Sequence, residues 1–221
     1  MLYETVTNEW GEVTYVPTTS GNLLLAALIL ALLTVAMWFV RKNTRKLSVR
    51  QLVACAAAIA LGTVLSHIKL FHFPTGGSIT LFSMLIVCLP GYWFGLGAGL
   101  LTGVSYGILQ ILIDPYILFP AQLVVDYLLA FGALGLAGLF AHVRDGLVKG
   151  YLAGILGRYF FSVLSGWIFF GTYAWEGWGA LPYSIVYNAS YIFFEASVTI
   201  CLLRLPPVKQ AMIRVKKTIT E

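Results

Sequence analysis

The sequence predicts an all-α integral membrane protein, and three observations carry that prediction. The chain has 221 residues, 59% of them hydrophobic and only 10% charged, whereas a soluble domain carries about 25% charged residues. Its apolar stretches run for about 18–25 residues without the strict alternation of a barrel strand, so the backbone satisfies its own polar groups in lipid as helices. Its basic residues are also bunched. Arg41, Lys42, Arg45, Lys46 and Arg50 form one group, Arg144 and Lys149 a second, and Arg204, Lys209, Arg214, Lys216 and Lys217 a third. Together they make twelve of the fourteen lysines and arginines.

Seven spans follow in order, at about 22–40, 50–68, 78–94, 95–113, 117–141, 150–173 and 183–204, with ends uncertain by about two to four residues. Residues 1–21 form an acidic leader with Glu4, Glu9 and Glu12 and no lysine or arginine, the reverse of the basic start of a secretory signal. The apolar run from Leu23 to Val40 is closed by Arg41-Lys42, so 22–46 reads as a membrane anchor with a basic linker. The second span carries Ala54, Ala58 and Gly62 every four residues, and His72 to Gly77 breaks the chain after it. Pro90-Gly91 marks the next break, and Gly95, Gly99, Gly103 and Gly107 form a ridge on the span that follows. Such small-residue ridges let helix backbones approach closely in lipid, either within the bundle or against a partner helix. Asp114-Pro115 makes a turn, and Trp175-Glu176-Gly177-Trp178-Gly179 a loop of the interfacial kind. The tail at 206–221 is basic.

A seven-span chain puts all three basic groups on one side, which the positive-inside rule makes the cytoplasm. The N-terminus and the loops around 69–77, 114–116 and 174–182 are then expected outside, and the C-terminus inside, for a multi-pass protein of the plasma membrane. The net charge of +5 follows this distribution, so no nucleic-acid partner is implied. Cys55, Cys88 and Cys201 lack metal-ligand spacing, and His67, His72 and His142 are scattered. No HExxH, nucleophile elbow or phosphate loop is present, so neither an enzyme nor a metal or cofactor is expected. Uphill transport would have to draw its energy from a partner or an ion gradient.

Polar groups inside spans are costly, at roughly 2.5–3.5 kcal/mol or more for a charge at the helix centre. Here they are Asp126-Tyr127 in the fifth span, Arg158 in the sixth and Glu195 in the last. An Arg158–carboxylate pair that stabilises the bundle is one reading of them. The other is a receiving site. Arg158, Ser162, Gly166 and Phe170 recur every four residues along one drifting face, and Asn188, Tyr191 and Glu195 share a face of the last span. Two such stripes with Asp126-Tyr127 would build a pocket near the outer surface, with carboxylate, amide, phenols and aromatic walls. That chemistry suits a small, flat, cationic or amine-bearing ligand.

From about Arg50 to Leu205 the chain resembles the thiamine-specific substrate-binding (S) components of energy-coupling-factor (ECF) vitamin importers. The residues that carry the resemblance are Pro74-Thr75-Gly76-Gly77-Ser78-Ile79, Asp126-Tyr127 with Ala130-Phe131, and Arg158-Tyr159. Ser165-Gly166, Phe169-Phe170-Gly171, Tyr183-Ser184 and Tyr187-Asn188 continue it in order. It implies a six-helix S-component bundle over 47–205, with the span at 22–46 as an extra N-terminal helix, and it implies thiamine binding without catalysis. It places the family's acidic ligand residue on Asp126 beside Tyr127, a loop tyrosine on Tyr116, a glycine on Gly166 and a stacking aromatic on Phe170. A phenol and an amide fall on Tyr183 and Asn188. It also implies that the helix with Ala54, Ala58 and Gly62 docks onto a transmembrane coupling subunit with two ATPases. The chain departs from the family at Ser162, where a histidine is common, and at Glu195, where a neutral residue is expected. Ser162 and Glu195 are therefore expected at the site but leave room for a different small cationic or aminopyrimidine-like metabolite. A membrane assembly protein with packing polar groups is the competing class.

Overall fold

The computed structural model describes residues 3–7, 13–20, 23–24, 27, 31, 34, 47–73, 77–114, 116 and 120–220. In the leader, β1 (Tyr3–Thr7) and β2 (Val13–Pro17) pair antiparallel, from Tyr3 opposite Pro17 to Thr7 opposite Val13. The expected extra span at 22–46 lies largely outside the described residues.

The helical part begins at α1 (Val49–His67). Ser48 and Gln51 start it reciprocally: Gln51 N donates to Ser48 Oγ at 3.3 Å and Ser48 N to Gln51 Oε1 at 3.0 Å, satisfying two donors that a helix start leaves open. A short antiparallel hairpin follows, β3 (Lys69–His72) with β4 (Ser78–Thr80). Then come α2 (Ser83–Phe94) and α3 (Leu96–Ile113), joined at Gly95, whose φ of 92° a side chain rarely allows. The next helix, α4 (120–140), changes its winding along its length. An opening α-turn passes into a π-turn over Val124–Leu129, and the helix ends as 3₁₀ over Ala133–Phe140. The bundle closes with α5 (Gly146–Phe169) and α6 (Ala180–Arg204), and α7 (Pro206–Thr220) follows.

Five of these helices, α1, α3, α4, α5 and α6, are long and apolar enough to cross a membrane. The 12 residues of α2 reach only about 18 Å at 1.5 Å per residue, and the bundle buries nine of them. The sequence predicts a start for this span at about 78. The structure places a strand at Ser78–Thr80 and starts the helix five residues later, at Ser83.

The glycine ridge of α3 packs internally. A Cβ on Gly107 would fall 2.0 Å from the Tyr127 carbonyl oxygen, one on Gly103 2.4 Å from that of Phe131, and one on Gly99 2.6 Å from that of Gly135. α3 and α4 therefore meet backbone to backbone. The alanine face of α1 is also turned inward, which corrects the docking expectation. Ala58 and Gly62 are buried with Cys55, and a Cβ on Gly62 would lie 3.1 Å from Val87 Cγ2 on α2. Of the three expected docking residues only Ala54 is partly open. The exposed row of α1 is Val53, Ala57, Leu61 and Val64.

The two ends of the bundle differ. At one end Lys69 of the hairpin pairs with Asp114 at 2.7 Å, and Trp175 packs edge-on against Tyr183 at 5.2 Å. At the other, α7 is tied back by Lys209–Asp145 at 2.7 Å and by Lys216, 3.8 Å above the Tyr92 ring. The basic segment expected as a tail is a helix.

Candidate functional site

A cavity of about 210 Å³ lies where α2 starts late. Had the helix begun at 78, its first turns would fill this space. Instead the chain turns at Phe82, whose φ of 59° is strained for an aromatic residue, and the hairpin roofs the gap. Helices α3, α4, α5 and α6 supply the other walls.

Asp126 stands in the π-turn of α4, a winding that recurs at functional sites because it re-aims side chains. Its Oδ2 accepts from Gln122 Nε2 at 2.8 Å, and the same amide nitrogen donates to the Tyr116 carbonyl at 2.8 Å. Gln122 thus aims the carboxylate and ties it to the mouth loop. Oδ1 accepts no hydrogen bond among the described residues. The buried Ser165 Oγ stands beside the carboxylate but outside hydrogen-bond geometry.

The stripe on α5 descends from the mouth through Phe170, Gly166 and Ser162 to Arg158, all on the cavity wall. Gly166 is there because nothing larger fits: a Cβ would sit 2.2 Å from Ser184 Oγ on α6. Arg158 lies over the Phe131 ring at 4.4 Å. The expected Arg158–carboxylate pair is absent among the described residues, since neither Asp126 nor Glu195 comes within the 4.0 Å of an ion pair.

On α6 the polar groups are already engaged. Asn188 Nδ2 donates to the Ser184 carbonyl at 2.9 Å and to that of Ser162 at 3.3 Å, while its Oδ1 accepts from Tyr191 Oη at 2.6 Å. Glu195 is only 3% exposed. Its Oε2 accepts from both N and Oγ1 of Thr80 at 2.8 Å, and its Oε1 from Met84 N at 3.4 Å. It brackets the strained Phe82 two residues to either side and fixes the turn that makes the cavity. About two turns further out, Tyr187 Oη accepts from Gly77 N at 3.1 Å, so one face of α6 holds the hairpin.

At the mouth, Tyr116 and Phe170 stack at 5.9 Å with 17° between their planes. The hydrogen bond between the Tyr116 and Tyr173 hydroxyls, 3.2 Å, pushes the Tyr116 phenol up to about 12, with burial adding to the shift. Tyr127 holds this loop rather than facing a ligand, since its hydroxyl accepts from Tyr116 N at 2.7 Å. Tyr183 and Tyr187 stack at 5.4 Å along the opposite wall.

All nine residues expected at a ligand site border this one cavity: Tyr116, Asp126, Tyr127, Ser162, Gly166, Phe170, Tyr183, Asn188 and Glu195. Their duties differ from the expectation at Tyr127, Asn188 and Glu195, whose polar atoms hold the walls. Sequence reasoning missed Gln122 and Thr80, and gave Tyr187 a place in a motif but no role at the site. The four-residue spacing from Gln122 to Asp126 was a usable signal; nothing local announces Thr80.

Residues 52–215 match the family described as thiamine transporter protein (Thia_YuaJ). The chain is 36% identical over 168 residues to the thiamine transporter ThiT of Bacillus subtilis, covering 68% of this chain and 86% of that protein. It is 29% identical over 128 residues to the thiamine transporter ThiT of Lacticaseibacillus paracasei, covering 52% of this chain and 62% of that protein. A solved structure of ThiT from Listeria monocytogenes superposes with a TM-score of 0.61 at 29% identity, covering 71% of this chain and 94% of that one.

Proposed function

The chain belongs to the thiamine transporter family, and we propose that its cavity is a thiamine site in which Asp126 takes the ligand's amine or charge. It is a multi-pass membrane protein, not an enzyme, and acts as a thiamine-binding S-component of the ECF type. The observation that carries the site assignment is Asp126. A carboxylate held by Gln122 on one oxygen presents the other to a membrane-embedded cavity with aromatic walls. A charged acceptor in such surroundings favours an amine-bearing ligand, and the faces of Phe170 and Tyr183 suit a flat cation. Ser162 leaves room for it, and Gly166 lets α6 approach α5 closely at the same wall. Tyr116, Tyr127, Asn188 and Glu195 hold the walls in place.

The test is titration of purified protein with thiamine, followed by quenching of its six tryptophans, with mass spectrometry of the molecule that co-purifies. Saturable quenching and co-purified thiamine are expected. A different co-purified metabolite, with no response to thiamine, refutes the assignment.

The energy source is proposed to be a transmembrane coupling subunit with two ATPases, docked on the exposed α1 row of Val53, Ala57, Leu61 and Val64. Ala57→Trp should then stop uptake and leave thiamine binding intact; loss of binding as well counts against this face. The bundle core is taken as 47–205. The hairpin end is proposed to face outward and α7 the cytoplasm, following the basic residues. A cysteine at Thr5 that resists an impermeant thiol reagent on intact cells would reverse this orientation.

A further inference from the structure

We infer that α7 is an interfacial helix whose outward row, Gln210, Arg214 and Lys217, binds anionic phospholipid headgroups at its end of the bundle. Its partly buried residues are Val208, Met212, Lys216 and Ile219, a row at three- and four-residue intervals, and Val208 and Met212 pack on the main core. Its polar ties go to three different places. Lys209 pairs with Asp145 in the turn between α4 and α5. Lys216 donates to the Ala141 carbonyl and covers the Tyr92 ring at the end of α2. Arg50, at the start of α1, donates to the Thr218 carbonyl. A helix tied along its length to the ends of different spans lies across them, parallel to the membrane plane.

That position sets its depth. The spans end or begin against α7, so the helix sits where hydrocarbon gives way to headgroups, a layer about 5–8 Å deep on each side. With side chains a helix is about 10 Å across, so the face turned from the bundle lies among headgroups. Only Leu205 separates α7 from α6, which leaves no length of chain to lift the helix away from the bilayer. The outward face has the chemistry of that layer. Gln210, Arg214 and Lys217 stand at i, i+4 and i+7, on the side of the helix opposite Val208 and Met212. Leu205 and Ile213 add apolar side chains about half exposed. Among the described residues the carboxylates at this end reduce to Asp145, and Lys209 takes it at 2.7 Å. Arg204, Arg214 and Lys217 are exposed, and Arg214 joins no ion pair among the described residues. Cations beside apolar side chains at this depth match an anionic lipid surface. A zwitterionic headgroup offers the same phosphate with a cation that cancels it, so phosphatidylglycerol should be preferred to phosphatidylcholine.

The experiment is thermal unfolding of the full chain in neutral-detergent micelles, with phosphatidylglycerol or phosphatidylcholine of the same acyl chains added at equal mole fraction. Phosphatidylglycerol should raise the unfolding temperature above that in phosphatidylcholine by about 2–4 °C for each cation engaged. Added salt should shrink the difference. Arg214→Gln combined with Lys217→Gln should lose most of it, with the unfolding temperature in phosphatidylcholine unchanged. Lys69→Met, which removes a cation at the opposite end of the bundle, should keep it. Equal stabilisation by the two lipids overturns the inference. So does a phosphatidylglycerol effect that survives the double substitution, or one that Lys69→Met removes as fully. Inorganic phosphate giving the same rise without lipid would make this a free-anion site, and poly-glutamate outdoing the lipid would make it a surface for an acidic protein; either result also overturns it.

Discussion

Asp126 and Glu195 are both carboxylates on membrane-spanning helices, and both border the same cavity, yet they do opposite work. Glu195 accepts three hydrogen bonds, from Thr80 N, Thr80 Oγ1 and Met84 N. Asp126 accepts one, from Gln122. The first lies across a strained turn that no local propensity would form; the second lies in a π-turn that directs it into the cavity. A buried acid in a membrane helix is expensive in either place. What separates a structural acid from a binding acid is whether its lone pairs are already matched within the fold.

The sharpest way to break this contrast is to neutralise each acid without changing its shape. Asp126→Asn removes the charge that the ligand would meet and keeps an oxygen for Gln122. Thiamine affinity should fall on the order of tenfold to a hundredfold, from about 1.5–3 kcal/mol for a charged hydrogen bond, while the unfolding temperature stays close to that of the wild type. Unchanged affinity in the tryptophan titration would move the ligand away from α4.

Glu195→Gln should do the reverse. The amide retains one acceptor oxygen but replaces the other with a donor facing Thr80 or Met84, a mismatch worth about 1–3 kcal/mol of stability. Thermal unfolding in detergent should show the loss, with a smaller change in thiamine affinity than Asp126→Asn gives. A variant as stable as wild type that binds thiamine poorly would mean that Glu195 meets the ligand directly, and the contrast would collapse.

The same contrast explains what was legible in the sequence. The spans were readable because long apolar runs closed by basic clusters need no tertiary context. The site was readable as a set of stripes, because Arg158, Ser162, Gly166 and Phe170 share a helical spacing whatever they pack against. The late start of α2 was not readable. Phe82 takes its left-handed conformation only because Glu195, more than a hundred residues away, matches the donors on either side of it. Ala58 misled for a related reason: a small-residue face looks alike whether it meets a partner helix or, as here, its own bundle. Gln122 was overlooked because a lone amide in an apolar run carries no motif until the carboxylate one turn later is known to depend on it.

Ser162 sharpens the binding side of the contrast by a smaller amount. It borders the cavity between Arg158 and Gly166, and its carbonyl is already held by Asn188, so a new side chain there enters the cavity without disturbing the backbone. Ser162→His adds a flat ring to a wall that has Phe170 two turns above. For a thiamine site the affinity should hold or tighten by a few-fold, in keeping with about 0.5–1.5 kcal/mol for an aromatic contact. Weaker thiamine binding by the histidine variant would show a pocket shaped for another molecule.

The smallest effect is expected at the rim, where charges are in water. Lys69 joins the hairpin to the end of α3 through Asp114 at 2.7 Å, with the two side chains 34% and 60% exposed. The hydrogen bond from Lys69 holds the Asp114 carboxyl below the ordinary carboxylate value, with burial opposing it. A carboxyl lowered in the folded state contributes stability above its unfolded value and loses it as the pH falls through the folded one. At neutral pH the pair is therefore fully present, and it disappears only under acid. Exposed pairs of this kind contribute about 0–1 kcal/mol. Lys69→Met should thus lower the unfolding temperature slightly at pH 7, and the difference from wild type should close as the pH falls below the carboxylate range. High salt should shrink the same difference. If Lys69→Met instead lowered thiamine affinity as much as Asp126→Asn, the hairpin would be held at its exposed rim rather than by Glu195 and Tyr187 on α6, and the division between wall and site would have to be redrawn.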